Sequence, residues 1–186
     1  LNSGTFEFDE NNDYAQSNST TVLNPTQYTK IAVYYPKSKT KNIVSGGNEA
    51  AHAFWMANST NTIRAGHNTS WSQVSYSPGN MLNSWHYSAV SFSNSDGFKL
   101  YYNGNLVDSD NFTNTPNGNS PGLVRIASYN GGNLFDGYIP VVLIYNRVLT
   151  SSEIQNNYNN LAQRYGLTNI GNYSNVDLTY SIADTS

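Results

Sequence analysis

Turn-forming residues cut this chain into short pieces. Clusters of Asn, Gly, Ser and Thr recur at intervals of roughly 8–12 residues, with brief apolar and aromatic runs between them. Such intervals admit strands of ordinary length and few helices, so the pattern reads as all-β, a sandwich or a barrel. The expected strands are Thr5–Phe8, Thr29–Tyr35, Asn42–Val44, Ala53–Ala57, Thr62–Ala65, Gln73–Ser77, Trp85–Phe92, Phe98–Tyr102, Asn105–Val107, Leu123–Ser128 and Tyr138–Tyr145. Asp96-Gly97 and Asn103-Gly104 supply the positive φ that tight hairpin turns need, which makes the middle of the chain a three-strand meander. Alternation along its central strand puts Phe98, Leu100 and Tyr102 on one face and Lys99 and Tyr101 on the other.

One segment breaks the period of two. Thr150-Ser151-Ser152-Glu153 has the form of a capping box, and Ile154, Tyr158, Leu161, Ala162 and Tyr165 then recur at helical spacing before Gly166. The opposite face is all Asn and Gln. The spacing predicts one short amphipathic helix laid on a β-structure. The expected organisation is a folded domain over residues 1–166 and a polar tail or linker over 167–186, with a short candidate strand at Val176–Tyr180. The chain begins at Leu1 rather than Met and shows no signal-peptide pattern, as expected of a processed piece of something longer.

Composition narrows the function. At 186 residues the chain suits a single domain, and 15 Tyr, 7 Phe and 3 Trp give a modest apolar fraction a large area to bury. Only 11% of residues are charged and the net charge is −3 with no basic cluster, which argues against nucleic acid as a partner. No apolar run is long enough to span a bilayer. With no Cys there are no disulfides, thiolate zinc sites or cysteine nucleophiles. The five N-x-S/T sequons, at Asn18, Asn58, Asn68, Asn111 and Asn172, are expected by chance in a chain with 29 Asn.

Three stretches together are distinctive. Phe6-Glu7-Phe8-Asp9 with Asn12-Asp13-Tyr14 is similar to an opening F-x-F-D-G-x-x-D-Y strand. Trp85-His86-Tyr87-Ser88-Ala89-Val90 and Lys99-Leu100-Tyr101-Tyr102-Asn103-Gly104 look like a W-x-x-V-A…G-x-x-L-Y-x-N-G meander. Gly137-Tyr138-Ile139 through Tyr145-Asn146-Arg147-Val148-Leu149-Thr150 and Glu153-Ile154 look like a G-x-I-x-x-V-x-I-Y-N-R-x-L-T-x-x-E-I closing strand and helix. In this order, over about residues 5–166, they resemble the laminin G-like, pentraxin-like branch of the concanavalin A-like lectin/glucanase superfamily. The resemblance implies a two-sheet antiparallel jelly-roll sandwich with one short C-terminal helix. Ala53-Phe54-Trp55-Met56 and Ala65-Gly66-His67-Asn68 also look like versions found in structural proteins of phages and algal viruses. Function lives in sites grafted onto such a fold.

Hydrolases of that superfamily carry an E-x-D-x-x-E strand. Glu7-Phe8-Asp9 begins like it, but the third acid is replaced by Asn12, so no catalytic residue is expected. Gly118-Asn119-Ser120-Pro121-Gly122 spells G-x-S-x-G without the strand and helix that a nucleophile elbow needs, and Pro121 removes an oxyanion donor. Sugars are held by aromatic faces and planar amides. Two clusters offer both: His67, Asn68 and Trp71, and Tyr129, Asn130 and Asn133. His86, on a strand, packs or caps a neighbour. The resemblance implies rim calcium in some relatives, and Asp108-Ser109-Asp110-Asn111 is the run whose Asp108 and Asp110 would hold it; no other cofactor is expected. The expected function is a non-enzymatic virion surface protein, a capsid decoration or fibre component with a lectin-like fold. Its partners are other virion or surface proteins, including copies of itself, and host glycans, with no nucleic acid and no membrane. The alternatives are a carbohydrate-binding module of a secreted or cell-surface microbial protein and a glycoside hydrolase.

Overall fold

The computed structural model describes residues 5–19, 22–23, 25–39, 41–46, 52–57, 61–68, 70–116 and 123–167. The expected strand Val176–Tyr180 and the G-x-S-x-G segment lie outside them. Every strand pairing among the described residues is antiparallel. A six-stranded sheet runs β1 (Glu7–Asp9), β13 (Asp136–Tyr145), β3 (Gln27–Pro36), β9 (His86–Ser93), β10 (Gly97–Tyr102) and β11 (Asn105–Asp110). Facing it are a four-stranded sheet, β4 (Lys41–Asn42), β6 (Ala53–Ala57), β7 (Thr62–Gly66) and β8 (Val74–Tyr76), and a three-stranded one, β2 (Ala15–Gln16), β12 (Arg125–Ile126) and β5 (Val44–Ser45). Among the described residues one helix forms, α1 (Ser151–Tyr165), and it covers the outer face of the large sheet.

The period of two sorts side chains between two cores. Tyr28, Ala32 and Tyr34 of β3 point into the sandwich with Val90, Phe92, Phe98 and Leu100, against Phe54, Met56, Ile63 and Ala65 from the facing sheet. Ile31 and Val33 point the other way, with Tyr87, Ala89 and Tyr101, onto Ile154, Tyr158 and Ala162 of α1. This is why β9 is buried along its whole length: it is central and covered on both faces. The helix begins and ends where expected. Thr150 and Glu153 form the capping box, and Gly166 closes the helix at φ 60.

Two expected strands are interrupted for visible reasons. Asn42–Val44 splits at Ile43, whose N–H bonds Phe54 O (3.0 Å) while its carbonyl accepts from Ala127 (3.0 Å). The chain crosses there from one sheet to the next. Leu123–Ser128 shortens to Arg125–Ile126 because Ala127 turns left-handed, at φ 68. In the meander the first loop is Asn94–Asp96, with the positive φ at Gly97 (76) rather than Asp96. Gly97 cannot be replaced there freely, since a Cβ would sit 2.1 Å from Asp110 O.

Candidate functional site

Trp71 of one expected cluster meets Tyr129 and Asn133 of the other, while His67, Asn68 and Asn130 face elsewhere. Trp71 and Tyr129, from different loops, line a common cleft with Asn42, Ala53, Trp55 and Asn133. Its volume is about 410 Å³, counting the space open to solvent.

The floor comes from the four-stranded sheet. Phe54 and Met56 fill the core, so alternation turns Ala53 and Trp55 outward. Register places Asn42 and Arg64 opposite Trp55, on either side of it. The Arg64 guanidinium lies 5.7 Å from the Trp55 ring. Trp55 donates its Nε1–H to the Trp71 carbonyl at 3.0 Å, tying the β7–β8 loop down over the sheet. Trp71 itself is 55% exposed, unusual for a side chain of that size.

The loop carrying Trp71 is held at its base. Gly66 ends β7 where a Cβ would meet Ser70 O at 2.5 Å and Gln73 N at 2.9 Å, so the loop folds back only over glycine. His67 is fully buried. Its Nε2 lies 2.7 Å from the Asn114 carbonyl, which can only accept, so Nε2 carries the proton and Nδ1 faces the Tyr28 hydroxyl at 3.4 Å. Phe92, Phe98 and Phe112 surround the ring, and burial pulls its pKa down to about 4. Asn68, at φ 62, donates its amide to Thr115 O at 3.1 Å. His67 and Asn68 therefore clamp the Trp71 loop to the segment after β11 from behind; His67 has no surface on the cleft.

The opposite wall is the Tyr129–Asn133 turn. Tyr129 and Gly132 exchange backbone hydrogen bonds (2.9 and 2.7 Å) around Asn130 and Gly131, both at positive φ. Asn133 accepts from the Asn42 N–H at 3.1 Å, which fixes this turn against β4. Asn130 faces elsewhere: its Oδ1 accepts from Arg125 at 3.1 Å, and Arg125 also holds Gln16 and lies over Tyr14. Trp55, Asn42 and Ala53 are the cleft residues that the sequence reading missed. The signal was present in Ala53-Phe54-Trp55-Met56-Ala57, where alternation puts Trp55 opposite Phe54 and Met56.

Other candidates sit apart. Asp108 accepts from the backbone of Ser75 at 2.7 Å and Ser109 at 2.9 Å, stitching β11 to β8, and Asp110 accepts from Phe112 N–H at 2.7 Å. Among the described residues no group of three or more His, Asp and Glu gathers to hold a metal ion. Glu7 and Asp9 flank the inward Phe8 on an edge strand, and Glu7 is paired with Lys37 at 2.7 Å. That neighbour holds the Glu7 carboxyl below its ordinary range. His86 is a capping residue, bonded to Met81 O (2.7 Å) and the Tyr102 hydroxyl (2.6 Å).

No curated protein sequence matches the chain. Among solved structures, the binding domain of botulinum neurotoxin serotype G is similar at 14% identity and TM-score 0.65, covering 85% of this chain and 43% of that one. The binding domain of botulinum neurotoxin DC, solved in complex with SialylT, is similar at 13% identity and TM-score 0.56, over 74% of this chain and 36% of that one. A mutant of Trypanosoma rangeli sialidase displaying trans-sialidase activity aligns at 16% identity and TM-score 0.57, over 76% of this chain and 24% of that one. The chain thus spans less than half the length of these proteins, and at such identity the likeness is one of fold. A laminin G domain model of the concanavalin A-like lectin/glucanases superfamily matches residues 9–155. With an antiparallel sandwich, a closing helix and this match over most of its length, the chain belongs to the concanavalin A-like lectin/glucanases superfamily.

Proposed function

We propose that this domain is a non-catalytic carbohydrate-binding module whose ligand seats in the cleft between Trp71 and Tyr129. The observation that carries the reading is convergence. Three aromatic side chains and two primary amides, from β4, β6 and two separate loops, line one concavity. An aromatic face with its negative π-cloud suits the polarised C–H face of a pyranose. An amide offers both donors and acceptors to hydroxyls, which need both. A concave, largely apolar cleft with a few fixed polar groups is the usual form of a small-ligand site. The similar binding domain of neurotoxin DC, 36% of which this chain covers, was solved in complex with SialylT, which makes a glycan a natural ligand to test.

The non-catalytic reading rests on where the acids are. Among the described residues no carboxylate lines the cleft, and the candidate pair Glu7 and Asp9 occupies an edge strand with Glu7 bound to Lys37. Glycoside hydrolysis needs an acid and a second carboxylate across the scissile bond. The setting we favour is the outside of a virion, as a capsid-decorating or fibre component in contact with copies of itself or other shell proteins. Its support is a Cys-free polar surface with few charges; a module of a secreted or cell-surface microbial protein would be built alike. Mass spectrometry of purified particles separates these settings.

Binding is tested on a glycan microarray with the intact protein and Trp71→Ala. The side chain of Trp71 is exposed and its contact to Trp55 is through the backbone, so the variant folds. Retention on at least one oligosaccharide, lost about 10-fold or more in Trp71→Ala, is expected. A folded protein that binds nothing on the array, or reducing-end release that Glu7→Gln abolishes, overturns the reading.

A further inference from the structure

Among the described residues the cleft is lined by no charge of either sign, and this sets its ligand class. We infer that the site selects neutral oligosaccharides and rejects those whose contacting sugar carries a carboxylate or sulfate; this rests on the glycan-binding reading above. The described lining residues, Asn42, Ala53, Trp55, Trp71, Tyr129 and Asn133, carry apolar, aromatic or amide side chains. A carboxylate brought against these side chains loses hydration, and none of them supplies a cation to replace it.

Two nearby cations are committed elsewhere. Arg125 donates to Gln16 at 2.7 Å and Asn130 at 3.1 Å, on the far side of the Tyr129 turn. Lys41 is bonded to Glu10. Arg64 is the nearby cation without such a partner: its Nε is buried and unbonded and its guanidinium lies 5.7 Å from the Trp55 ring, on the β7 side, outside the residues that line the cleft. The net charge of −3 adds no long-range attraction for an anion. The aromatic walls and amides remain, and they address C–H faces and hydroxyls, the groups a neutral pyranose presents.

Matched pairs test this. Calorimetry of the intact protein with lactose and 3′-sialyllactose, extended with maltotriose, chitotriose and mannotriose, is run at low and high NaCl. At least one neutral sugar is expected to bind, at least 10-fold tighter than the acidic member where the two are matched. Its Kd should change less than about twofold with salt. Both bindings should weaken together in Trp71→Ala. A tighter acidic partner, or steep weakening with salt, overturns the inference while sensitivity to Trp71→Ala keeps the site. An acidic preference that disappears in Arg64→Met assigns specificity to that guanidinium and also overturns it. Absence of binding by every sugar overturns both the inference and the reading beneath it.

Discussion

Acid should loosen this domain through His67 before its carboxylates titrate. The imidazole is fully buried among Phe92, Phe98 and Phe112, and burial lowers its pKa to about 4 despite the bond to Asn114 O. In the unfolded chain it returns to 6.5. Its contribution is complete above pH 6.5 and is lost as pH falls toward 4, because across that window only the unfolded state takes up the proton. The slope is about 1.4 kcal/mol per pH unit, or roughly 2 kcal/mol between pH 6.5 and 5. His52 and His86, also buried with lowered pKa values, act in the same direction. Glu153, held at about 2 by Arg147 and the Thr150 N–H, contributes stability that is lost only below its unfolded value of 4.5. The two windows are therefore separate. His67→Gln keeps an N–H donor for Asn114 and removes the titration. Urea unfolding followed by Trp fluorescence at steps from pH 7.5 to 5 should show the native protein losing about 2 kcal/mol more than the variant over the lower part of that range. Equal slopes for the two proteins would refute the assignment of His67 as a buried neutral clamp.

Other expectations follow from the same geometry. Gly66→Ala drives a Cβ against Ser70 O and Gln73 N, so the Trp71 loop must move; calorimetry should show glycan binding falling at least 10-fold with a smaller change in melting temperature. Gly97→Ala combines φ 76 with a 2.1 Å clash on Asp110 O and should cost about 2 kcal/mol or more in urea unfolding. Thr150→Ala removes the side-chain half of the capping box and should cost about 1 kcal/mol, with binding unchanged.

The turns and the helix were legible because their signals are local. Asn103-Gly104 needs nothing beyond itself to make a hairpin, and Thr150, Glu153 and Gly166 mark the ends of α1 within their own turns. Faces were legible too: Phe98, Leu100 and Tyr102 lie toward one core and Tyr101 toward the other, as alternation requires. The cleft was legible only in halves. Trp71 and the Tyr129–Asn133 turn stood out by composition, but their meeting depends on the crossover at Ile43 and on the bond from Asn42 N–H to Asn133 O, both long-range. His67 and Asn68 illustrate the opposite case. A polar pair beside a turn has the composition of a ligand contact, yet the carbonyls of Asn114 and Thr115 hold both in place. Nothing near them in sequence announces those partners.

The cleft itself is most directly tested by the indole signals of the three tryptophans. Trp55 and Trp71 line it, whereas Trp85 packs against Tyr35, Tyr138 and Tyr165 and serves as an internal control. In a ¹H–¹⁵N titration with the tightest-binding neutral oligosaccharide, the Nε1–H signals of Trp55 and Trp71 should shift, along with the side-chain amides of Asn42 and Asn133, while Trp85 stays still. A shift at Trp85 with the cleft signals unmoved would place the ligand elsewhere and contradict the account.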